Sequence, residues 1–149
     1  MWLFEGTFKL KYMKRHIVCI IDDSEAFRII TKITVSDYFP SEDVLVFPTV
    51  MKGIDYIKSN LGNEDVIPDV VFTDLNMPNI DGWEFIEAYK ALRPLIKKDI
   101  LIYFITSFVT DSDVAKASKI PEITGVINKP LDEATIQKIF ELVSALDSN

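Results

Sequence analysis

The chain has 149 residues, 48% hydrophobic and 26% charged, the balance of one ordinary globular domain rather than of a disordered or fibrous segment. At this length folding hides about 70% of the surface an unfolded chain exposes, so a core can form without structural metals, and the single cysteine, Cys19, has no partner for an internal bridge. Sixteen Lys and Arg against 23 Asp and Glu give a net charge of -7, which lacks the positive footprint that phosphate backbones require and argues against direct nucleic-acid binding.

Residues 1–12 have no clear period and precede a second methionine, Met13, so they read as a short extension or an upstream start-site artefact ahead of one domain over 13–149. Glu5 and Gly6 stand where a signal peptide needs a basic end and an apolar run, so no export is expected. No stretch approaches the roughly 20 apolar residues of a membrane span. The expected setting is cytoplasmic and reducing.

Five short apolar runs rich in β-branched residues follow: Ile17 to Ile21, Val44 to Phe47, Val70 to Phe72, Ile100 to Ile105, and Gly125 to Ile127. Each reads as a strand buried on both faces, as parallel sheets require. Between them the apolar spacing becomes helical, as in Ala26, Ile29, Ile30 and Ile33, or Val50, Ile54, Ile57 and Leu61, or Phe85, Tyr89 and Leu92, with Ile136, Ile139, Phe140 and Val143 in the last helix. Ser24 caps the first helix in this reading, Thr110 with Asp113 forms a capping box before the fourth, and Pro78 with Asp81-Gly82 marks the loop before the third. Ser59 to Pro68 reads as a lengthened polar connection. Five strands alternating with five helices imply a doubly wound α/β domain with right-handed crossovers. The last helix runs almost to Asn149, so no effector segment is expected.

In an open α/β sheet the ligand crevice lies outside the carboxyl ends of the strands. Strand one ends in Asp22-Asp23, strand three in Thr73-Asp74, strand four in Thr106-Ser107, and strand five leads to Asn128-Lys129-Pro130. On one sheet edge these place three carboxylates, hydroxyls and an ammonium around a single pocket. Three close carboxylates resist ionising together unless a cation joins them, and a hard divalent ion meets that demand. Taken singly the residues have ordinary explanations: Asp22-Asp23 as helix-start chemistry, Thr106 and Ser107 as strand-end hydroxyls, Lys129 as a solvated lysine, and His16 as a solvated strand-end residue. Asp74 is harder to explain so, because a carboxylate directly after a buried apolar run is costly without a partner. The set, in order, at one edge carries the weight.

Asp22-Asp23-Ser24, the run Asp74-Leu75-Asn76-Met77-Pro78-Asn79-Ile80-Asp81-Gly82, Thr106-Ser107 and Lys129-Pro130 resemble the receiver domain of response regulators, the phosphoryl-accepting module of two-component signalling. The likeness covers roughly residues 15 to 147. It implies a flavodoxin-like fold with strand order 2-1-3-4-5. It further implies Asp74 as the phosphorylated residue, and Mg²⁺ held by Asp22, Asp23, Asp74 and the backbone carbonyl of Asn76. Thr106 would contact the phosphoryl group and Lys129 pair with it. A histidine kinase or phosphotransfer protein would be the donor and an unspecified protein the target, with no nucleic acid or membrane. Such a domain catalyses only its own Mg²⁺-dependent phosphorylation and dephosphorylation. The chemistry is consistent: a carboxylate is a competent nucleophile towards an activated phosphoryl group, and the transfer needs positioning and neutralisation of the equatorial oxygens.

Two positions depart from the family pattern. Val126 stands three residues before Lys129, where relatives usually carry an aromatic switch residue, and Phe108 is bulky where many carry a smaller or polar side chain. By the likeness, Asn76 and Phe108 flank the path of a hydrolytic water, with Phe108 excluding it. A haloacid-dehalogenase type of enzyme is disfavoured because Asn76 stands where its second Asp belongs. A flavin carrier is disfavoured because Asp22-Asp23-Ser24-Glu25 would repel a phosphate.

Overall fold

In the computed structural model, which describes residues 15–146, five parallel strands form one sheet in the order β2-β1-β3-β4-β5. The strands are β1 (Val18–Ile21), β2 (Val44–Phe47), β3 (Val70–Asp74), β4 (Leu101–Thr106) and β5 (Gly125–Asn128). The helices α1 (Glu25–Val35), α2 (Val50–Ser59), α3 (Gly82–Leu92), α4 (Asp111–Ser118) and α5 (Glu133–Leu146) alternate with them, and short 3₁₀ turns precede β2 and follow α3. This is the doubly wound, flavodoxin-like architecture expected. The segment 1–12, read as an extension, lies outside the described residues.

Alternation along each strand supplies both cores. Cys19, Ile21, Val71, Ile102 and Phe104 face α2 and α3, packing on Ile54, Ile57, Phe85 and Tyr89. Val18, Ile20, Val70, Phe72 and Ile105 face the other way, against Val35, Ile136, Ile139 and Val143. Strands β1 and β3 are buried on both faces throughout, and β4 in all but its first residue, Leu101. The edge strands β2 and β5 are partly exposed, contrary to the expectation for all five, because each lacks a neighbour on one side.

The expected caps form. The Ser24 hydroxyl accepts from Phe27 N-H, and Thr110 and Asp113 make a reciprocal capping box. Asp81 caps α3 through Glu84 N-H. Two further expectations fail. The α1 stripe of Ile29, Ile30 and Ile33 faces solvent, with exposures of 53%, 49% and 65%, and Ala26 is exposed with it. The inward face is Phe27, Thr31 and Val35, because the Ser24 cap sets where the helix begins and therefore which side meets the sheet. His16 is 6% exposed rather than solvated, with its ring edge-on to Phe39 ahead of β1.

Candidate functional site

The carboxyl edge of the sheet is assembled by backbone register. Pairing of β1 with β3 and of β3 with β4 brings Ile21 beside Thr73 and Asp74 beside Ile105, so Asp22 and Asp74 emerge from neighbouring strands. Pairing of β4 with β5 sets Thr106 against Asn128, and Lys129 N-H donates to Thr106 O at 2.8 Å, carrying Lys129 towards the same edge. Helix α3 closes over the end of β3 because Gly82 has no side chain. A Cβ there would lie 2.9 Å from Asp74 O and 3.1 Å from Leu75 Cα. The Lys129-Pro130 peptide is cis.

Lys129 is the hub. Its Nζ lies 2.7 Å from Asp22 Oδ2 and 3.0 Å from Asp74 Oδ2, with all three side chains almost wholly buried. The remaining Asp74 oxygen, Oδ1, accepts from Asn76 N-H at 3.1 Å, and Asp22 Oδ1 accepts from Ser24 N-H at 2.9 Å. The Asn76 side-chain amide donates to Thr106 Oγ1 at 2.9 Å, which leaves the threonine proton free to be donated elsewhere. Asp23 is exposed at the rim, on a cleft of about 330 Å³ bounded by Met51, Met77, Pro78 and Ile80.

Burial holds the Asp74 carboxyl above its ordinary value, opposed by the hydrogen bond and charge of Lys129. For Lys129 burial works to lower the ammonium, but hydrogen bonds to Asp22 and Asp74 outweigh it, and its pKa lies above the ordinary value. Asp22, Asp23 and Asp74 each offer one oxygen within 4.8 Å of the others, close enough to converge on one ion. Three hard oxygen donors with a single lysine leave the pocket negative, a donor set suited to Mg²⁺.

All the expected site residues therefore meet at one edge: Asp22, Asp23, Asp74, Asn76, Thr106 and Lys129. Asn76 is engaged through its N-H and its side chain. Ser107 and Phe108 are exposed, Phe108 at 76%. Two contributors were missed, and a third, Asn128, was read only as the end of strand five. Arg28 Nη1 donates to Asp22 O at 2.7 Å, Asn128 Oδ1 accepts from Val109 N-H at 3.1 Å, and the Phe27 ring lies 4.2 Å from Lys129 Nζ. Phe27 and Arg28 lie one helical turn beyond Asp22-Asp23, a spacing that marks them as near the site, but nothing in a sequence tells which face of α1 is turned inward.

The family model described as the response regulator receiver domain matches residues 18–141, most of the chain. The chain belongs to the response regulator receiver domain family. Among solved structures, this receiver domain is similar to a response regulator receiver protein from Dyadobacter fermentans, at 28% identity and a TM-score of 0.73 over 89% of this chain and 98% of that one. It is similar in fold to a two-component response regulator from Cytophaga hutchinsonii, at 23% identity and a TM-score of 0.77 over 87% and 97% of the two chains. A curated relative, the sensor histidine kinase CheAY of Helicobacter pylori, is 27% identical over 126 residues, 85% of this chain and 15% of that protein. The chain spans a fifth or less of the length of the curated relatives it matches. Among the described residues, no helix is long and apolar enough to cross a membrane.

Proposed function

We propose that the receiver domain accepts a phosphoryl group on Asp74 from a phosphohistidine of a histidine kinase or phosphotransfer protein and signals by protein contact. The observation that carries this reading is the Asp74 carboxylate at the end of a central strand, tied to Lys129 and facing Asp22 and Asp23. An Asp74 oxygen attacks phosphorus in line, the P-O bond forms as the donor's P-N bond breaks, and the donor imidazole keeps the electron pair and takes up a proton. Lys129 and the free proton of Thr106 neutralise and bind the equatorial phosphoryl oxygens. Asp22, Asp23, Asp74 and the Asn76 carbonyl would hold Mg²⁺, which supplies further positive charge against those oxygens. The outward isoleucines of α1, Ile29, Ile30 and Ile33, supply exposed apolar surface for a protein partner. The domain then acts on no substrate other than its own aspartate.

Intact-mass measurement after incubation with a small phosphodonor and Mg²⁺ tests this. One added phosphoryl group in the wild type and none in Asp74→Asn is the expected result. An adduct that persists in Asp74→Asn, or none in the wild type, overturns it.

A further inference from the structure

We infer that Phe27 is a positioning residue for Lys129, its ring face holding the lysine ammonium against the acid pocket; this rests on the reading of Asp74 as phosphoryl acceptor. An ammonium has three N-H bonds. Two of them are taken by Asp22 Oδ2 and Asp74 Oδ2. The Phe27 ring centroid lies 4.2 Å from the nitrogen, inside the range in which a ring face attracts a cation. The backbone that carries the ring is held, since Phe27 N-H donates to the Ser24 hydroxyl at 3.3 Å and the adjacent Arg28 is tied to Asp22 O.

The chemistry explains why a third, neutral partner matters. Lysine carries its charge on a flexible four-carbon stem, and its direction here is set by carboxylates. Once Asp74 carries a phosphoryl group, its own oxygens no longer bear the charge that draws Lys129. Asp22 and the ring are the two contacts whose chemistry does not change in the reaction, and of these only the ring is neutral. A carboxylate in its place would fix the ammonium and also neutralise it. An aromatic face fixes it and leaves its charge available to the phosphoryl oxygens. A leucine of comparable bulk would exclude water but attract nothing.

Phosphorylation rates with a small phosphodonor at saturating Mg²⁺ test the role in the wild type, in Phe27→Leu, in Phe27→Tyr, and in proteins carrying singly to triply fluorinated phenylalanine at position 27. Fluorine withdraws charge from the ring face with little change in shape. We expect Phe27→Leu to react about fivefold more slowly, as a contact of about 1 kcal/mol implies. Phe27→Tyr should stay within about twofold of the wild type, and the rate should fall with each added fluorine. A ring-current upfield shift of the Lys129 ε protons should be present in the wild type and Phe27→Tyr and absent in Phe27→Leu, which reports the contact independently of turnover. A flat fluorine series, or a Phe27→Leu protein as fast as the wild type, on a domain that is phosphorylated overturns the role of Phe27 and leaves the proposed function standing. A wild type that takes no phosphoryl group defeats both.

Discussion

Strand β3 is flanked by an aspartate at each end, and both are buried beside a lysine. Asp69, just before the strand, accepts Ile17 N-H at 2.7 Å and pairs with Lys98 at 3.3 Å. Nearby, Asp43 pairs with Arg15 ahead of β2, so each of these two aspartates has a base of its own. At the other end Asp74 and Asp22 share Lys129, with Asp23 at the rim and, among the described residues, no further base paired with these carboxylates. A carboxylate with every partner supplied is a fastener, as at Asp69. A cluster with more carboxylates than cations is held short of neutrality by the fold, and that residual negative charge favours binding a cation.

The sharpest way to break the comparison is to remove one acid from each end. Asp69→Asn leaves Lys98 with the Glu64 carbonyl but no carboxylate partner there, and weakens the tie between β3 and the chain entering β1. It should lower unfolding free energy by about 3 kcal/mol in denaturant titrations while leaving phosphorylation intact. Asp74→Asn abolishes phosphorylation, yet should change stability by less than about 1 kcal/mol, because it also relieves crowding of charge. Equal losses from both substitutions would erase the distinction.

Divalent ion comes next in size. Mg²⁺ at a hundredfold over its dissociation constant should stabilise the wild type by about 2.7 kcal/mol by mass action, and shift Asp69→Asn equally. Asp23→Ala should show a clearly smaller shift in thermal unfolding. A full shift in that variant would remove Asp23 from the ligand set.

The pH dependence sharpens the contrast further. Burial places the folded Asp74 carboxyl above its ordinary value of 3.8, so between the two values the folded state binds more protons than the unfolded state. In that window this group's contribution to stability falls as pH rises. Asp74→Asn should therefore gain relative to the wild type as pH rises through the acid range, with the difference levelling off by neutral pH. Lys129, held above 10.5, contributes stability that is complete below that value and lost as pH climbs through its folded value, and Lys129→Met should lack that alkaline loss. Denaturant melts across both ranges measure the two slopes.

The smallest effect expected is at Phe108. Phe108 is 76% exposed, so Phe108→Gln should alter the half-life of the phosphorylated protein by less than about threefold after donor removal. A larger acceleration would show that the ring folds over the site after phosphorylation.

The order of strands and helices, the capped helix starts, and the gathering of Asp22, Asp23, Asp74, Thr106 and Lys129 at one edge were all legible in the sequence. Strand patterning and the parallel crossover rule allow few arrangements, and all of those arrangements put strand ends together. The rotation of α1 was not legible. It carries two possible inward faces, and the more apolar one, Ile29, Ile30 and Ile33, lost to Phe27, Thr31 and Val35, because the cap at Ser24 and the ties of Arg28 and Phe27 to the site fix the helix's phase. Burial of His16 was likewise decided by Phe39, which arrives from a distant part of the chain. Local spacing thus specified which elements form and where they end. Which face of an element is buried, and how two carboxylates come to share one lysine beneath an aromatic ring, depended on contacts between segments far apart in sequence, where packing and charge compensation outweigh local hydrophobicity.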